Sequence, residues 1–463
     1  MAKDMETNKK VVSRNLTIVL AVLCIVILVS TVAVIVWQAS QITSTNNKVN
    51  SLNTQVTNLN TQVTNLTKLL NTQIANATAL TNLLFAQTTN ATNLVNQLKS
   101  LDSQLSSVSS QLSGSEQNST ALLDSLITSA SNSPPFAIGA AGTLKYAWGT
   151  ILSNFQAEYP TIITAPALFE GSSAVATTEN STKQFSIEAA ADTTTIPSYL
   201  FSTLADYEIA FGQTQMVIIT NLASPAGKQL YSMWQAAQSL TVNSAAYNQS
   251  WQKMFNLIAT NSTTKVGISD PFTDPSGYQG AGMLRLAGLT FFGNLTYLYN
   301  AVYNNPNKYY KASTETTLVT LMQTQHIDFI TSAYLSNAIP QTGNSSQTQL
   351  AYITLPTSVN LQLMSMIHYY QKADFSYTEL GTTESFVINP VTYTVTIPKV
   401  STNAAAATLF IKLLFSPGSQ AILSQNGITP LTPGIYYGTG ADIPSILSSD
   451  VTPVNATLAS LFP

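Results

Sequence analysis

Three stretches of this chain place small hydroxyl residues where an apolar run gives way to a helical pattern. Ala141-Gly142-Thr143-Leu144 follows the run at 136–138, and Glu170-Gly171-Ser172-Ser173 follows the run at 161–165. Asp270-Pro271-Phe272-Thr273-Asp274-Pro275-Ser276-Gly277-Tyr278 follows the run at 265–268, with Pro275 suited to a first helical turn. Each junction offers hydroxyl groups and unsatisfied backbone N–H groups at a helix start. That is what holding an anion by dipoles rather than by counter-charges requires. One such junction is an ordinary helix cap; three along one chain form a pattern.

The residues that most enzymes rely on are scarce. The chain has two histidines, His326 and His368, and one cysteine, Cys24, which lies inside an apolar run. A disulfide framework, a thiolate metal site and a cysteine nucleophile in a folded domain are excluded, and a histidine-dependent triad has almost no material. Asp270 and Asp274 share one capping loop, where satisfying backbone donors is the commoner task. The expectation is a protein that is not an enzyme and has no resident metal or cofactor. Of 463 residues only 8% are charged, against about 25% in an ordinary soluble protein, and the net charge is −3. A nucleic-acid partner is excluded, because no basic face is available to meet phosphates.

The elements that must position the junctions alternate in type. Residues 136–138, 161–165, 215–220, 265–268, 329–330 and 393–397 read as strands, and 145–159, 276–289 and 403–414 as helices. Such interleaving indicates an α/β domain with mostly parallel sheets over 136–463. Its length exceeds what one core holds, so two lobes are expected.

Ahead of this domain the chain changes character twice. Residues 16–37 are apolar except for Thr17, Ser30 and Thr31, and about 22 residues at 1.5 Å each span a bilayer core of roughly 30 Å. Lys3, Lys9, Lys10 and Arg14 precede the run, and the next basic residue is Lys48. The expectation is a cytoplasmic tail (1–14), an uncleaved transmembrane anchor (15–38) and an extracellular remainder. From Val49, Leu52, Val56 and Leu59 through Leu98, Leu101, Leu105, Val108 and Leu112, apolar residues recur in steps of three and four. That is the seam of a coiled-coil stalk (39–113), joining two or three copies of the chain. Gly114 and residues 131–135 should break the helix, leaving a linker at 114–135. Asn-x-Ser/Thr acceptors, such as Asn118, Asn180, Asn248 and Asn455, suggest a glycosylated exterior. Low charge and abundant hydroxyl and amide groups would suit an acidic one.

At the junctions the domain resembles the archaeal-type molybdate/tungstate-binding components of ABC importers, which have the two-lobed type II periplasmic-binding-protein fold. The family's Ala-Gly-Ser-Leu is similar to Ala141-Gly142-Thr143-Leu144, its Ala-Gly-Ser to Gly171-Ser172-Ser173, and its Asn-Pro-x-x-Asp-Pro-x-Gly-Tyr to Asp270–Tyr278. Its Ala-Ser-Ala-Asp-Tyr-Thr-Leu-Ile-Pro segment resembles 189–197, where Asp192, Ile196 and Pro197 are kept, and the likeness covers nearly all of 136–440. The resemblance implies capture of a tetrahedral oxyanion between two lobes, for delivery to permease and ATPase subunits. Gly142, Thr143 and Ser172 would donate from one lobe, Ser276 and Gly277 from the other, and Tyr278 would support that loop. A carboxylate pair in this family also approaches the oxyanion's central metal. Its first member falls on Asp274, and its second, a glutamate, aligns with His326, whose imidazolium would add a charged donor in acid. The alternative function is a stalked adhesion or surface-layer protein whose binding lobe has lost or changed its ligand, which threonine for serine and histidine for glutamate would suit.

Overall fold

The computed structural model describes residues 89–463 apart from 344–347, and before them positions 18, 19, 21–27, 29, 30, 64, 67, 68 and 72, all helical. The expected cytoplasmic tail lies outside the described residues. So do the anchor and the stalk up to residue 88, save for those positions. Among the described residues no single helix is long and apolar enough to cross a membrane.

Helix α1 (Thr89–Ser131) runs for 43 residues and passes through Gly114, where a break was expected. One glycine costs a helix about 1 kcal/mol relative to alanine, too little to end it when its last turns are docked. Leu123, Leu126 and Ile127 pack against the core of the following domain, Ala130 is buried in it, and Asn403 Nδ2 donates to the carbonyls of Ala130 and Pro134, both at 2.9 Å. Residues 114–131 are therefore helical rather than a linker, docked from Leu123 to Ala130, and the chain leaves helix only toward Pro134 and Pro135.

The first lobe begins with β1 (Ile138–Ala141), α2 (Lys145–Glu158), β2 (Leu168–Glu170), α3 (Ser172–Thr182), β3 (Ile187–Ala190), α4 (Thr195–Leu200) and β4 (Tyr207–Gln213). The strand expected at 161–165 is a single bridge, Phe136 to Thr164, and the paired strand falls later, at β2. Through Thr214 and Gln215 the chain enters the second lobe. There β5 (Met216–Asn221), α5 (Pro225–Ala237), α6 (Ala245–Ala259), β6 (Val266–Ser269), α7 (Pro275–Phe292), α8 (Tyr297–Tyr303), β7 (Tyr309–Ala312), α9 (Glu315–Gln323), β8 (Phe329–Tyr334), α10 (Leu335–Thr342) and β9 (Leu350–Thr354) follow. A connection carrying α11 (Ile367–Tyr370) and the hairpin β10 (Phe375–Glu379) and β11 (Thr382–Phe386) leads back. The first lobe is then completed by β12 (Thr392–Thr396), α12 (Ala404–Leu414), α13 (Pro417–Gln425), β13 (Thr429–Gly438) and β14 (Val451–Pro453).

The lobes are built on a seven-stranded sheet, β14-β13-β4-β12-β3-β1-β2, and a five-stranded one, β7-β6-β8-β5-β9. Both are mixed rather than mostly parallel. β1 pairs in parallel with β2 and β3, and β6 with β7 and β8. The strands that bring the chain in from the other lobe, β5 and β12, run against their neighbours β8 and β9, and β3 and β4, because each enters its sheet from the side of the cleft. An aromatic cluster holds the first lobe's face: Trp148 of α2 meets Phe410 of α12 edge-on at 5.1 Å between ring centres, and Phe136 and Phe155 complete it.

The same lobe buries acids. Glu188 on β3 is 1% exposed and Glu208 on β4 is 0% exposed, and neither carboxyl makes a well-formed hydrogen bond, although the Thr394 side chain beside Glu208 partly opposes the rise of its pKa. Burial pushes both well above the ordinary carboxylate range, reinforced by the Glu179 charge for Glu188 and the Asp192 charge for Glu208. An unpaired carboxylate is too costly in such a place, so these groups are neutral acids. A raised acid binds more protons folded than unfolded. Its contribution to stability is complete below the unfolded value of about 4.5 and is lost as pH rises through the folded value. Thermal unfolding of the full chain should therefore have its highest midpoint near or below about pH 4 and fall toward pH 8. Calorimetric scans across that range check it, and a midpoint that rises with pH contradicts it.

Candidate functional site

In both sheets the parallel strands end on the same crevice, where connections after strands leave room for a ligand. From the first lobe, Gly142 and Thr143 follow β1, Glu170 and Ser172 flank the end of β2, and Ala191 follows β3. From the second, Asp274 follows β6, Thr314 and Glu315 follow β7, and Asn337 follows β8. Together they enclose a cavity of about 10 Å³. That is at most the room one ordered water needs, so the two lobes stand nearly shut on each other here. The lobes are in contact around it. A Cβ on Gly171 would stand 2.2 Å from the Thr273 carbonyl oxygen, so only glycine permits this approach.

The hydroxyls on the first lobe are set as donors. Thr143 Oγ1 accepts from the Tyr393 phenol at 2.8 Å, and that phenol is paired with Ser336 Oγ of the other lobe at 2.7 Å. Ser172 Oγ accepts from the Ala191 amide at 2.9 Å. Each hydroxyl, held from behind as an acceptor, keeps its own proton for the cavity. Ser172 opens α3 without a side-chain cap, which leaves the first-turn amides available.

The second lobe differs from expectation. Asp274 caps α7: Oδ1 accepts from the Ser276 amide at 3.0 Å, and its carbonyl accepts from Gly277 N at 2.9 Å. The amides of Ser276 and Gly277 are therefore spent on Asp274 rather than offered to a ligand. Gly277 instead lets α7 lie against β6, since a Cβ there would stand 2.5 Å from the Ser269 carbonyl. Tyr278 turns away from the cavity and donates to Asp192 Oδ2 of the first lobe at 2.8 Å, a bond between the lobes. Asp274 Oδ2 accepts from the Glu315 amide at 3.3 Å.

Glu315 itself, absent from the sequence expectation, stands in the cavity. It is 1% exposed, Oε2 accepts from the Tyr334 amide at 3.3 Å, and Oε1 has no partner. Burial, and then the Asp274 charge, push its carboxyl well above the usual range. Burial also raises Asp274, opposed by the donors that Ser276, Ser269 and Glu315 provide. Asn337 adds a buried amide nitrogen that makes no well-formed hydrogen bond but faces the Glu315 carboxyl and opposes its rise. Both side chains are buried, polar and in the lining of the same cavity, where a ligand could use them.

His326 is exposed and stands beyond the C-terminal end of α9, whereas the cavity lies at the N-terminal end of that helix. Its Nδ1 is 2.9 Å from Thr324 Oγ1, and its ring meets Tyr310 edge-on at 6.3 Å. His326 therefore has no part in the cavity. The sequence signal that pointed to Glu315 was Ser313-Thr314-Glu315, a further strand-to-helix junction. It looked like an ordinary Thr cap with an acid in the first turn. Among the described residues no group of three or more histidine, cysteine or acidic side chains is arranged to hold a metal ion.

The family described as bacterial extracellular solute-binding protein matches residues 136–429. An uncharacterized solute-binding protein of Sulfurisphaera tokodaii is 31% identical over 250 residues, 52% of this chain and 60% of that protein. This chain thus spans less than two thirds of that relative's length. The molybdate/tungstate-binding protein WtpA of Pyrococcus abyssi is 25% identical over 274 residues, 55% of this chain and 71% of that one. Among solved structures, the Azotobacter vinelandii periplasmic molybdate-binding protein aligns with a TM-score of 0.40 at 13% identity, over 64% of this chain and 98% of that one.

The exposed position of His326 gives a direct expectation. His326→Ala should leave both thermal stability and anion affinity within about 0.5 kcal/mol of the parent chain. Scanning calorimetry and tungstate titration check this, and a loss of affinity confined to acid pH would contradict it.

Proposed function

The chain belongs to the family of bacterial extracellular solute-binding proteins, and we propose that its ligand is a tetrahedral oxyanion of the molybdate/tungstate class. One observation carries the reading: hydroxyl donors from one lobe and buried polar side chains from the other converge on a single cavity between the lobes. Thr143 and Ser172 grip it with their hydroxyls, and the uncapped start of α3 adds amide dipoles. Kinship with a molybdate/tungstate-binding protein supports the choice of anion. Capture feeds an ABC permease and ATPase. The anchor at 15–38 tethers the protein with its N-terminus inside and its two-lobed domain outside, and the stalk joins two or three copies.

A second reading, a stalked surface protein whose binding lobe has lost or changed its ligand, is favoured by the charge of the cavity. Glu170, Asp274 and Glu315 line it, and no lysine, arginine or histidine does. Titrating the full chain with tungstate, molybdate, sulfate and phosphate separates the two. Tryptophan emission is the readout, because Trp148 and Trp251 are buried and Trp234 donates to the Thr354 carbonyl beside the interlobe connection. Submicromolar quenching by tungstate or molybdate is the expected result; no response to any of the four favours the surface protein.

A further inference from the structure

A fully ionised tetrahedral oxyanion has only acceptors, so each protein atom touching its oxygens must be a donor. Thr143, Ser172, the amides at the start of α3 and Asn337 Nδ2 meet that demand. Three carboxyls line the same cavity, and they are not equivalent. Both oxygens of Asp274 accept backbone amides, at 3.0 and 3.3 Å, so Asp274 is committed as an acceptor. Glu170 is exposed at the rim. Glu315 is the asymmetric one, with Oε2 accepting from the Tyr334 amide while Oε1 lines the cavity unpartnered at 1% exposure. With Oε2 held by the Tyr334 amide and the Asn337 side chain facing the carboxyl as a further donor, Glu315 can still serve as a carbonyl at Oε2 and a hydroxyl at Oε1.

We propose that Glu315 carries a proton on Oε1 and donates it, as a hydrogen bond, to an oxygen of the captured oxyanion, so that capture is tied to protonation of this one carboxyl. The inference rests on the oxyanion reading and adds its regulation. The groups facing Glu315 agree with it. Asp274, from the turn before α7, adds negative charge, as Glu170 does from the first lobe. The Tyr334 and Tyr393 phenols are pushed upward by burial and stay neutral, donating to Gln279 Oε1 and Thr143 Oγ1. The cation on the neighbouring strand, Lys311 of β7, is engaged by Asp270 and Glu379. No positive charge among the cavity-lining residues can offset an arriving anion; a proton from solvent, bound at Oε1, can. Ionised, Glu315 would set a third negative charge against the guest.

The test uses the full chain with tungstate, and with sulfate as a second, always tetrahedral probe, from about pH 5 to about pH 10. Binding is read by tryptophan emission, and proton uptake by an indicator in weak buffer. Affinity should fall about tenfold per pH unit once Glu315 ionises in the free protein, with up to one proton taken up per anion bound. Glu315→Gln places a permanent N–H donor where Oε1 stands and a carbonyl where Oε2 stands, so its affinity should lose that pH dependence and its proton uptake. Anion binding without proton uptake at any pH, or parallel pH profiles for the parent chain and Glu315→Gln, overturns this inference and leaves the oxyanion reading standing. Failure of the parent chain to bind either anion at any pH overturns both. Should the variant not fold, proton uptake by the parent chain decides alone.

Discussion

The distance between the two lobes is fixed where Gly171 passes the Thr273 carbonyl, a contact that any Cβ would forbid. Around it two phenols reach across the cleft: Tyr278 of α7 donates to Asp192, and Tyr393 of β12 bridges Thr143 and Ser336. These contacts bring the ends of the parallel strands together and set the cavity's size. Tyr393 also orients a hydroxyl, since it holds Thr143 as an acceptor and so turns that group's proton toward the guest. One phenol therefore acts on both closure and recognition.

Charge is handled in this protein by omission. Where other domains would pair a buried acid with arginine or lysine, Glu188, Glu208 and Glu315 have at most neutral donors beside them, Thr394 for Glu208 and Asn337 and the Tyr334 amide for Glu315. The exceptions are informative. Lys412 and Asp450 form a close buried pair at 2.6 Å that ties α12 to the segment before β14, and Asp192 is satisfied by the amides of Thr194 and Thr195 as well as by Tyr278. Buried acids thus come in two kinds, those bound to fixed donors and those that require a proton. The second kind includes the one in the binding cavity.

Much of this architecture was legible from local pattern. Junctions after β1, β2 and β6 stood out because a β-branched or small-residue run met a glycine, a hydroxyl and a helical period, and Thr143, Ser172 and Asp274 do reach the cavity. What local pattern did not reveal depends on contacts distant in sequence. Ser276 and Gly277 were counted as anion donors because a free helix start offers its amides; Asp274, two residues before Ser276, uses those amides first. Glu315 was hidden because β7, Tyr309–Ala312, is only four residues long, and its strand identity comes from pairing with β6. His326 was drawn in by spacing relative to a motif, yet α9 separates it from the cavity by the helix's whole length. Mixed rather than parallel sheets follow from a chain that crosses between lobes, which no single segment encodes.

Helix α1 ends inside the first lobe, seated on the domain core through Leu123, Leu126 and Ile127 and locked by Asn403 to the carbonyls at its exit. A rod joined so firmly to one half of a hinged body makes that half the stator. Any opening of the cleft would then turn residues 216–354 relative to α1, which travels with the first lobe.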